Sequence, residues 1–412
     1  MAGLIQYSII FYEIKFVKGS DILGKIMEKE NVKTVMLEHS KAKVDLYSTY
    51  LSMYLNILSQ LPYLNKIHIY DLMCGEGIYS DGSKGSPIIT MEKIKDNYFK
   101  NKEKCPKIEV WFNDRDKSKI EKNKHKIDRV REYCDKFKHL DIVNAIYTKC
   151  DYTTLYPKIV KKIHNFKNEK LLLFIDPYGY KEIQPEHLKF FLTGGKTEII
   201  LFLPISHMYR FADKSLSGEE FHGGIPLKEF LTPLLNSNND LRNSKSSEDF
   251  IDNLKIAFRE YFKKQGIFVD TFTIKRDDRN MFCLFFFTSN ALGFEKMLEA
   301  KWKLDEQRGK GFRFDSQQGS LFSEVETTDY TSKLENYIKS NVSRTNSEIY
   351  LYGLNEGFLP KHTNQIFRDW QKNKSTFKVY LLDGSEARKN SFYILYKNYV
   401  RNPEKIVNFK FV

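Results

Sequence analysis

Three short stretches of the chain hold residues whose types and spacing suit chemistry. The first is Tyr70-Asp71-Leu72-Met73-Cys74-Gly75-Glu76-Gly77-Ile78-Tyr79. An acid closing an apolar run, then two glycines one residue apart, fits a nucleotide-like ligand, because glycine lets backbone approach without a Cβ clash. The alternative is a tight turn after a strand. The second is Asp114, within Phe112-Asn113-Asp114-Arg115-Asp116. Its two oxygens could accept both hydroxyls of a ribose, or it could N-cap the helix expected next. The third is Phe174-Ile175-Asp176-Pro177-Tyr178-Gly179-Tyr180, an acid followed by proline and an aromatic. It reads either as a binding turn or as a cap-and-turn at a strand end.

The loop Tyr79-Ser80-Asp81-Gly82-Ser83-Lys84-Gly85-Ser86-Pro87 is long and rich in Gly and Ser. It could cover a ligand or offer backbone N–H groups to phosphate, although it lacks the G-K-[ST] order of a P-loop. His39, Lys43 and Tyr47 share a helix face that could reach the active site, although the favoured expectation for them is a solvated surface. There is no Ser/His/Asp hydrolase set and no HExxH motif. Five scattered cysteines, never spaced as CxxC, argue against a disulfide framework and a zinc site.

The elements that must position these residues follow from hydrophobic spacing. Residues 39–61 repeat apolar groups at helical intervals, and Pro62 stops them. Short, nearly continuous apolar runs at 67–70, 108–112, 142–147, 171–175 and 198–203 read as strands buried on both faces. Helices are expected between them, near 117–137 and 155–163. Most of these strands end in a polar residue, and that edge is where open α/β sheets bind ligands. Residues 268–274 and 281–287 read as an antiparallel hairpin, after a helix at 250–262 and before one at 291–304. The last part predicts helices at 330–340, 347–355 and 361–372, then strands at 377–382 and 391–395 around Asp383-Gly384. Three helices with a hairpin wing is a winged-helix layout. The expected division is an N-terminal extension (1–38), a large α/β domain (39–305), a linker (306–328) and a small basic domain (329–412).

The chain has 412 residues, too many for one compact core. Its net charge is +13, and residues 329–412 hold 14 Lys and Arg against 8 Asp and Glu. That balance favours a polyanionic partner, RNA or DNA, over a merely solvated surface. The apolar run 4–12 lacks a basic flank and a cleavage site. No stretch approaches the roughly 20 apolar residues of a membrane span. A cytoplasmic protein without membrane association is expected.

The Asp71–Gly77 pattern resembles the first motif of S-adenosylmethionine (SAM) methyltransferases, D-x-x-x-G-x-G. It carries Met73 where the stricter G-x-G-x-G form has glycine. In that scheme Asp71, Gly75, Gly77, Asp114 and Asp151 bind SAM, with Asp151 facing the adenine amino group. Asp151 could also simply cap the helix after it. Asp176-Pro177-Tyr178 resembles the D-P-P-Y of amino-methyltransferases with one proline missing, and the D-P-F-G of tRNA guanine-N2 methyltransferases. The resemblance implies that Asp176 and a backbone carbonyl accept hydrogen bonds from an exocyclic NH2. The aromatic ring would stack on the extruded base. Positioning would supply much of the rate, since the sulfonium is already activated.

Further stretches extend the likeness: H-S-K-A-K at His39, D-L-M-C-G-E-G-I-Y followed by D-G-S-K-G-S-P, N-D-R-D, F-I-D-P-Y-G-Y, and residues 285–302. Together with Gly357-Phe358-Leu359-Pro360-Lys361-His362, they resemble the three-Cys-motif partner protein (TcmP) family over about residues 30–412. That resemblance implies a Rossmann-like class I SAM-methyltransferase sheet with an antiparallel terminal hairpin, plus a small C-terminal winged-helix domain. It also implies a bacterial protein encoded beside a three-cysteine-motif partner, in a mobile-element or phage-defence setting. Two functions follow: a SAM-dependent methyltransferase acting on an exocyclic amine of a nucleic-acid base, or a catalytically idle adaptor that docks nucleic acid or the partner.

Overall fold

The computed structural model describes residues 34–412, apart from 102–103, 178–179, 181, 220, 222, 236–239, 278, 307–308, 314–326 and 401–405. Tyr178, the apolar run 4–12, nearly all of the expected N-terminal extension and much of the expected linker lie outside the described residues.

Eight strands form one sheet: β1 (Lys66–Asp71), β2 (Lys107–Asn113), β3 (Val143–Thr148), β4 (Glu169–Ile175), β5 (Thr197–Leu203), β6 (Phe268–Asp277), β7 (Asn280–Thr288) and β8 (Gly311–Arg313). Their spatial order is β3-β2-β1-β4-β5-β7-β6-β8. The pairs among β1 to β5 are parallel, and β7 runs against both β5 and β6. The chain order thus reverses direction between β1 and β4, which is where an α/β sheet opens a crevice at its carboxyl edge.

Side-chain alternation assigns the two faces. Ile67, Ile69, Leu172 and Phe174 point into one core, while Tyr70, Leu171, Leu173 and Ile175 point into the other. The first core is covered by α1 (Glu38–Leu58), α2 (Ser86–Asn101), α3 (Lys126–Cys134) and α9 (Ala291–Leu304). The second is covered by α4 (Tyr152–His164), α5 (Pro185–Leu192), α6 (Ile205–Ser217), α7 (Gly224–Leu231) and α8 (Ser247–Tyr261). By the same parity Asp71 and Asp176 continue the rows 67-69 and 172-174. Both acids therefore leave their strands toward the α1 side.

Three expectations change. The helix expected over 117–137 is confined to α3 and a short 3-10 turn at Asp135–Phe137. Ser118 and Glu121 instead hydrogen-bond Glu76 and Arg129, which holds residues 116–125 as a loop. The linker contributes β8, which pairs in parallel with β6. Residues 391–395 form no strand. Phe392 and Ile394 alternate as a strand would, but they plug the small domain's core, and Asn390 and Tyr393 have positive φ.

The C-terminal unit comprises α10 (Thr328–Lys339), α11 (Asn346–Asn355), α12 (Pro360–Asn373), α13 (Tyr396–Val400) and a three-stranded antiparallel sheet. The sheet strands are β9 (Arg344–Thr345), β10 (Phe377–Leu381) and β11 (Val407–Phe411). Phe367, Trp370, Phe377 and Phe409 pack its centre. It is joined to the large unit through α9. Trp302 donates to the Gly357 carbonyl at 2.9 Å and packs on His362, and Tyr350 donates to Glu295 at 2.7 Å. Among the described residues no helix is long and apolar enough to cross a membrane.

Candidate functional site

The turn after β1 is held by its neighbours on both sides. Leu72 N–H donates to the Phe174 carbonyl of β4, and Cys74 N–H donates to the Asn113 carbonyl of β2. Gly75 and Gly77 have φ of +71° and +77°, in the left-handed region that glycine enters without strain. They differ in role. A Cβ on Gly75 would meet only the Tyr79 hydroxyl, at 3.8 Å, so the cradle is open there. A Cβ on Gly77 would lie 2.9 Å from Val130 of α3. Gly77 is thus required by packing as well as by conformation. Between them Glu76 turns inward onto Arg129, at 2.6 Å, and takes the Ser118 hydroxyl and the Lys119 N–H. Arg129 also donates to the carbonyls of Glu76 and Ile78. The turn is therefore clamped from below by one buried guanidinium.

Asp71 is fully buried. Its Oδ2 accepts from the Ser86 hydroxyl of α2 at 2.6 Å, while Oδ1 has no hydrogen-bond partner of good geometry. Asp176 leaves the end of the adjacent β4. Lys43 of α1 donates to Asp176 Oδ2 and lies 4.7 Å from the centre of the Phe202 ring. Tyr47, one turn on, stacks on Phe174 at 4.7 Å and bonds Thr90, and His39, one turn back, stacks on Phe282 at 5.1 Å. The solvated face expected for His39, Lys43 and Tyr47 is instead a wall of the site. The signal was present in the sequence: Tyr47 belongs to the apolar stripe of α1, and the same stripe carried back one turn contains Lys43. Phe202 and Phe282, stacked at 5.2 Å on β5 and β7, form an aromatic floor that sequence reasoning did not assign.

The electrostatics of this rim are anionic with one internal counter-charge. Burial raises the Asp71 carboxyl to about 7, the nearby Asp176 adds to the rise, and Ser86 and Lys43 oppose it. Burial, with Arg276 and Lys43 nearby, lowers the His39 imidazole to about 4, so it is neutral at physiological pH. Raising an acid's folded pKa makes its ionisation costly to the fold. That cost is absent below the ordinary aspartate value, grows as pH rises from there to about 7, and is constant above. A ligand ammonium beside Asp71 needs the ionised form, so binding moves the other way. The ratio of SAM affinity in the wild type to that in Asp71→Asn is expected to rise about tenfold from pH 6 to pH 8. Calorimetric titrations at the two pH values measure it; a constant ratio removes Asp71 from the ligand.

The remaining predicted residues fall at the far side of the rim. Asp114 is buried. Its Oδ2 accepts from Gly75 N–H at 3.0 Å and its Oδ1 from Asp116 N–H at 2.9 Å, with Lys126 Nζ 3.6 Å away. It is neither an open ribose acceptor nor a helix cap but a tie that fixes the glycine turn to β2. Asp151 precedes α4 without capping it through its side chain. It is exposed and paired with Arg115, which also reaches Glu182 at 3.2 Å. Exposed pairs of this kind contribute about 0–1 kcal/mol, so a ligand could displace Arg115 cheaply. Pro177 is buried at the end of β4.

These groups can be set against SAM, the cofactor that the resemblance to methyltransferase motifs implies. At its amino-acid end, the buried Asp71 carboxylate and the open side of Gly75 suit an ammonium and the backbone that carries it. At its nucleoside end, Asp151 becomes available once the exposed Arg115 pair is displaced, whereas Asp114 stays committed to the glycine turn.

The strand order, with β7 reversed beside β5 and the acid-glycine turn at the crevice, is that of a Rossmann-like class I SAM-methyltransferase fold with an appended C-terminal unit. No protein-family model and no curated protein matches the chain. Several solved structures are similar in fold. A Legionella pneumophila protein of the family DUF519 has TM-score 0.36 and 11% identity over 64% of this chain and 90% of its own. The O-methyltransferase of Bacillus cereus in complex with S-adenosylhomocysteine has TM-score 0.29 and 11% identity over 65% and 89%. The O-methyltransferase TomG of Streptomyces achromogenes in complex with SAM has TM-score 0.28 and 9% identity over 64% and 95%.

Proposed function

We propose that the protein is a SAM-dependent methyltransferase acting on an exocyclic amino group of a nucleic-acid base. One observation carries the reading: Asp71 and Asp176 end neighbouring strands on the same face, at the crevice where the chain order reverses. When bound, SAM supplies an electrophilic methyl group. The chain's own residues do the rest. Asp71 holds the ligand's amino group, and the open side of Gly75 admits its backbone. Asp176 accepts an N–H of the target amine once Lys43 releases it. Pro177 stiffens the turn, Tyr178 stacks on the base, and Phe202 and Phe282 exclude water from the amine. His39, neutral beside Asp176, is placed to take the proton that the methylated nitrogen loses. Incubation of the protein with methyl-labelled SAM and total host nucleic acid tests this. Label in RNA or DNA is expected, and none in either would contradict it.

The C-terminal unit supports a nucleic-acid substrate if it is a winged helix with α12 as the reading helix. Lys361, Arg368 and Lys372 are exposed along α12, and Arg388 and Lys389 are exposed on the adjoining loop. Replacing the three α12 cations by Gln in the full chain is expected to lower the salt dependence of duplex binding. The slope of log K against log salt should fall in magnitude by about 2–3. An unchanged slope assigns this face to protein docking.

A second reading has one observation in its favour. Asp114, Asp151 and Asp176 are each paired with a cation of the chain, as suits a SAM-like fold retained as an idle adaptor. In that reading it docks nucleic acid or a three-cysteine-motif protein, in the phage-defence setting that the likeness to three-Cys-motif partner proteins implies. Salt-dependent nucleic-acid binding without methyl transfer would favour it.

A further inference from the structure

A cavity of about 150 Å³ lies at the opposite, N-terminal edge of the sheet. It opens between the second half of α1, the starts of β4 and β5, the N-terminus of α9 and the C-terminal unit. Rings of Tyr50, Tyr54, Tyr63 and Tyr396 line it. Two lining hydroxyls are buried and lack a hydrogen-bond partner: those of Tyr54, 6% exposed, and Thr197, 1% exposed. Such groups are seldom left unpaired in a folded protein. Both belong to residues of the cavity wall, and a small turn of the Tyr54 ring or the Thr197 side chain would bring them to a ligand there.

The charge of the cavity says which kind. Lys170, Lys196 and Lys296 line it, and the positive end of α9 points toward it. Lys170 gives one N–H to the Gly195 carbonyl at 3.0 Å, which leaves the rest of its ammonium to a ligand. The opposing carboxylate, Glu198, is already committed. Tyr50 donates to one of its oxygens, and Thr288 donates to the other at 2.9 Å. Burial pushes Glu198 above the ordinary range and Lys170 below it, and a ligand carboxylate beside Lys170 would favour its charged form. The volume is below that of a drug-sized site, so the occupant is one ring or two.

We propose that this cavity binds a small planar aromatic carboxylate, its ring among the tyrosines and its carboxylate on Lys170, Tyr54 and Thr197. Because Tyr396 belongs to the C-terminal unit, the ligand would bridge the two units of the chain. The site is separate from the Asp71–Asp176 rim, and the proposal does not depend on methyl transfer.

Benzoate and its uncharged isostere benzamide, titrated into the full-length protein by calorimetry and ligand-observed NMR, test it. Benzoate is expected to bind saturably at one site, at least about tenfold more tightly than benzamide. Lys170→Met should lose about tenfold, and the isosteric double variant Tyr54→Phe with Thr197→Val a similar factor. SAM affinity should not change in either. Far-ultraviolet circular dichroism checks folding, and the isosteric pair keeps the test open if Lys170→Met fails to fold. Absence of saturable benzoate binding up to about 10 mM, equal binding of benzamide, or unchanged benzoate binding in the folded variants would overturn the proposal.

Discussion

Asp176→Ala is expected to abolish methyl transfer, by at least about a hundredfold in kcat, while leaving SAM affinity within about threefold of wild type. The size follows from what the carboxylate does. In the proposed reaction it holds one N–H of the target amine so that the nitrogen lone pair faces the methyl group, and misplacing a reacting atom by an ångström costs about two orders of magnitude. The selectivity follows from position. Asp176 follows β4, whereas the proposal gives the cofactor's amino-acid end to Asp71 at the end of β1 and to Gly75 in the turn after it. The variant also removes the negative charge that adds to the rise of the Asp71 carboxyl, so Asp71 ionises more readily and SAM binding is preserved. Single-turnover transfer and equilibrium titration on the same preparation separate the two effects. Full activity in the variant would remove Asp176 from the reaction.

Arg129→Ala is expected to destabilise the fold by about 3–5 kcal/mol, because it leaves the buried Glu76 carboxylate without its partner. The same guanidinium holds the carbonyls of Glu76 and Ile78, so the damage falls on the glycine turn. SAM affinity should therefore drop with stability, although Arg129 lies beneath the turn on α3. Thermal unfolding with and without SAM measures both. Adding Glu76→Leu to Arg129→Met removes the stranded charge and should recover part of the stability. Equal stability of Arg129→Ala and wild type would mean the turn does not depend on its clamp.

The sheet was legible because its strands are buried on both faces and so read as unbroken apolar runs. β1, β2, β4 and β5 lie within a residue or two of the expected bounds, and α9 coincides with the expected 291–304. Where reading failed, long-range partners overrode local pattern. Residues 117–125 have helical composition, but Ser118 is taken by Glu76, 42 residues away in sequence, and Glu121 by Arg129 of α3. Phe392 and Ile394 alternate like a strand, but their side chains fill a core while the backbone turns. The site was half legible. Asp71, Gly75 and Asp176 stand at the strand ends where the motifs put them. The favoured reading put Lys43 on a solvated face although the stripe of α1 reaches it, and the Phe202–Phe282 floor was not assigned, since it is built across β5 and β7 and no spacing within a single segment encodes that.

Calorimetric titration of the purified chain with SAM and with S-adenosylhomocysteine bears most directly on the Asp71–Gly75 crevice. Saturable one-to-one binding of both is expected, lost in Gly75→Asp, which places a carboxylate in the open cradle beside Tyr79. Absence of heat with either compound, or equal binding by Gly75→Asp, would contradict the assignment.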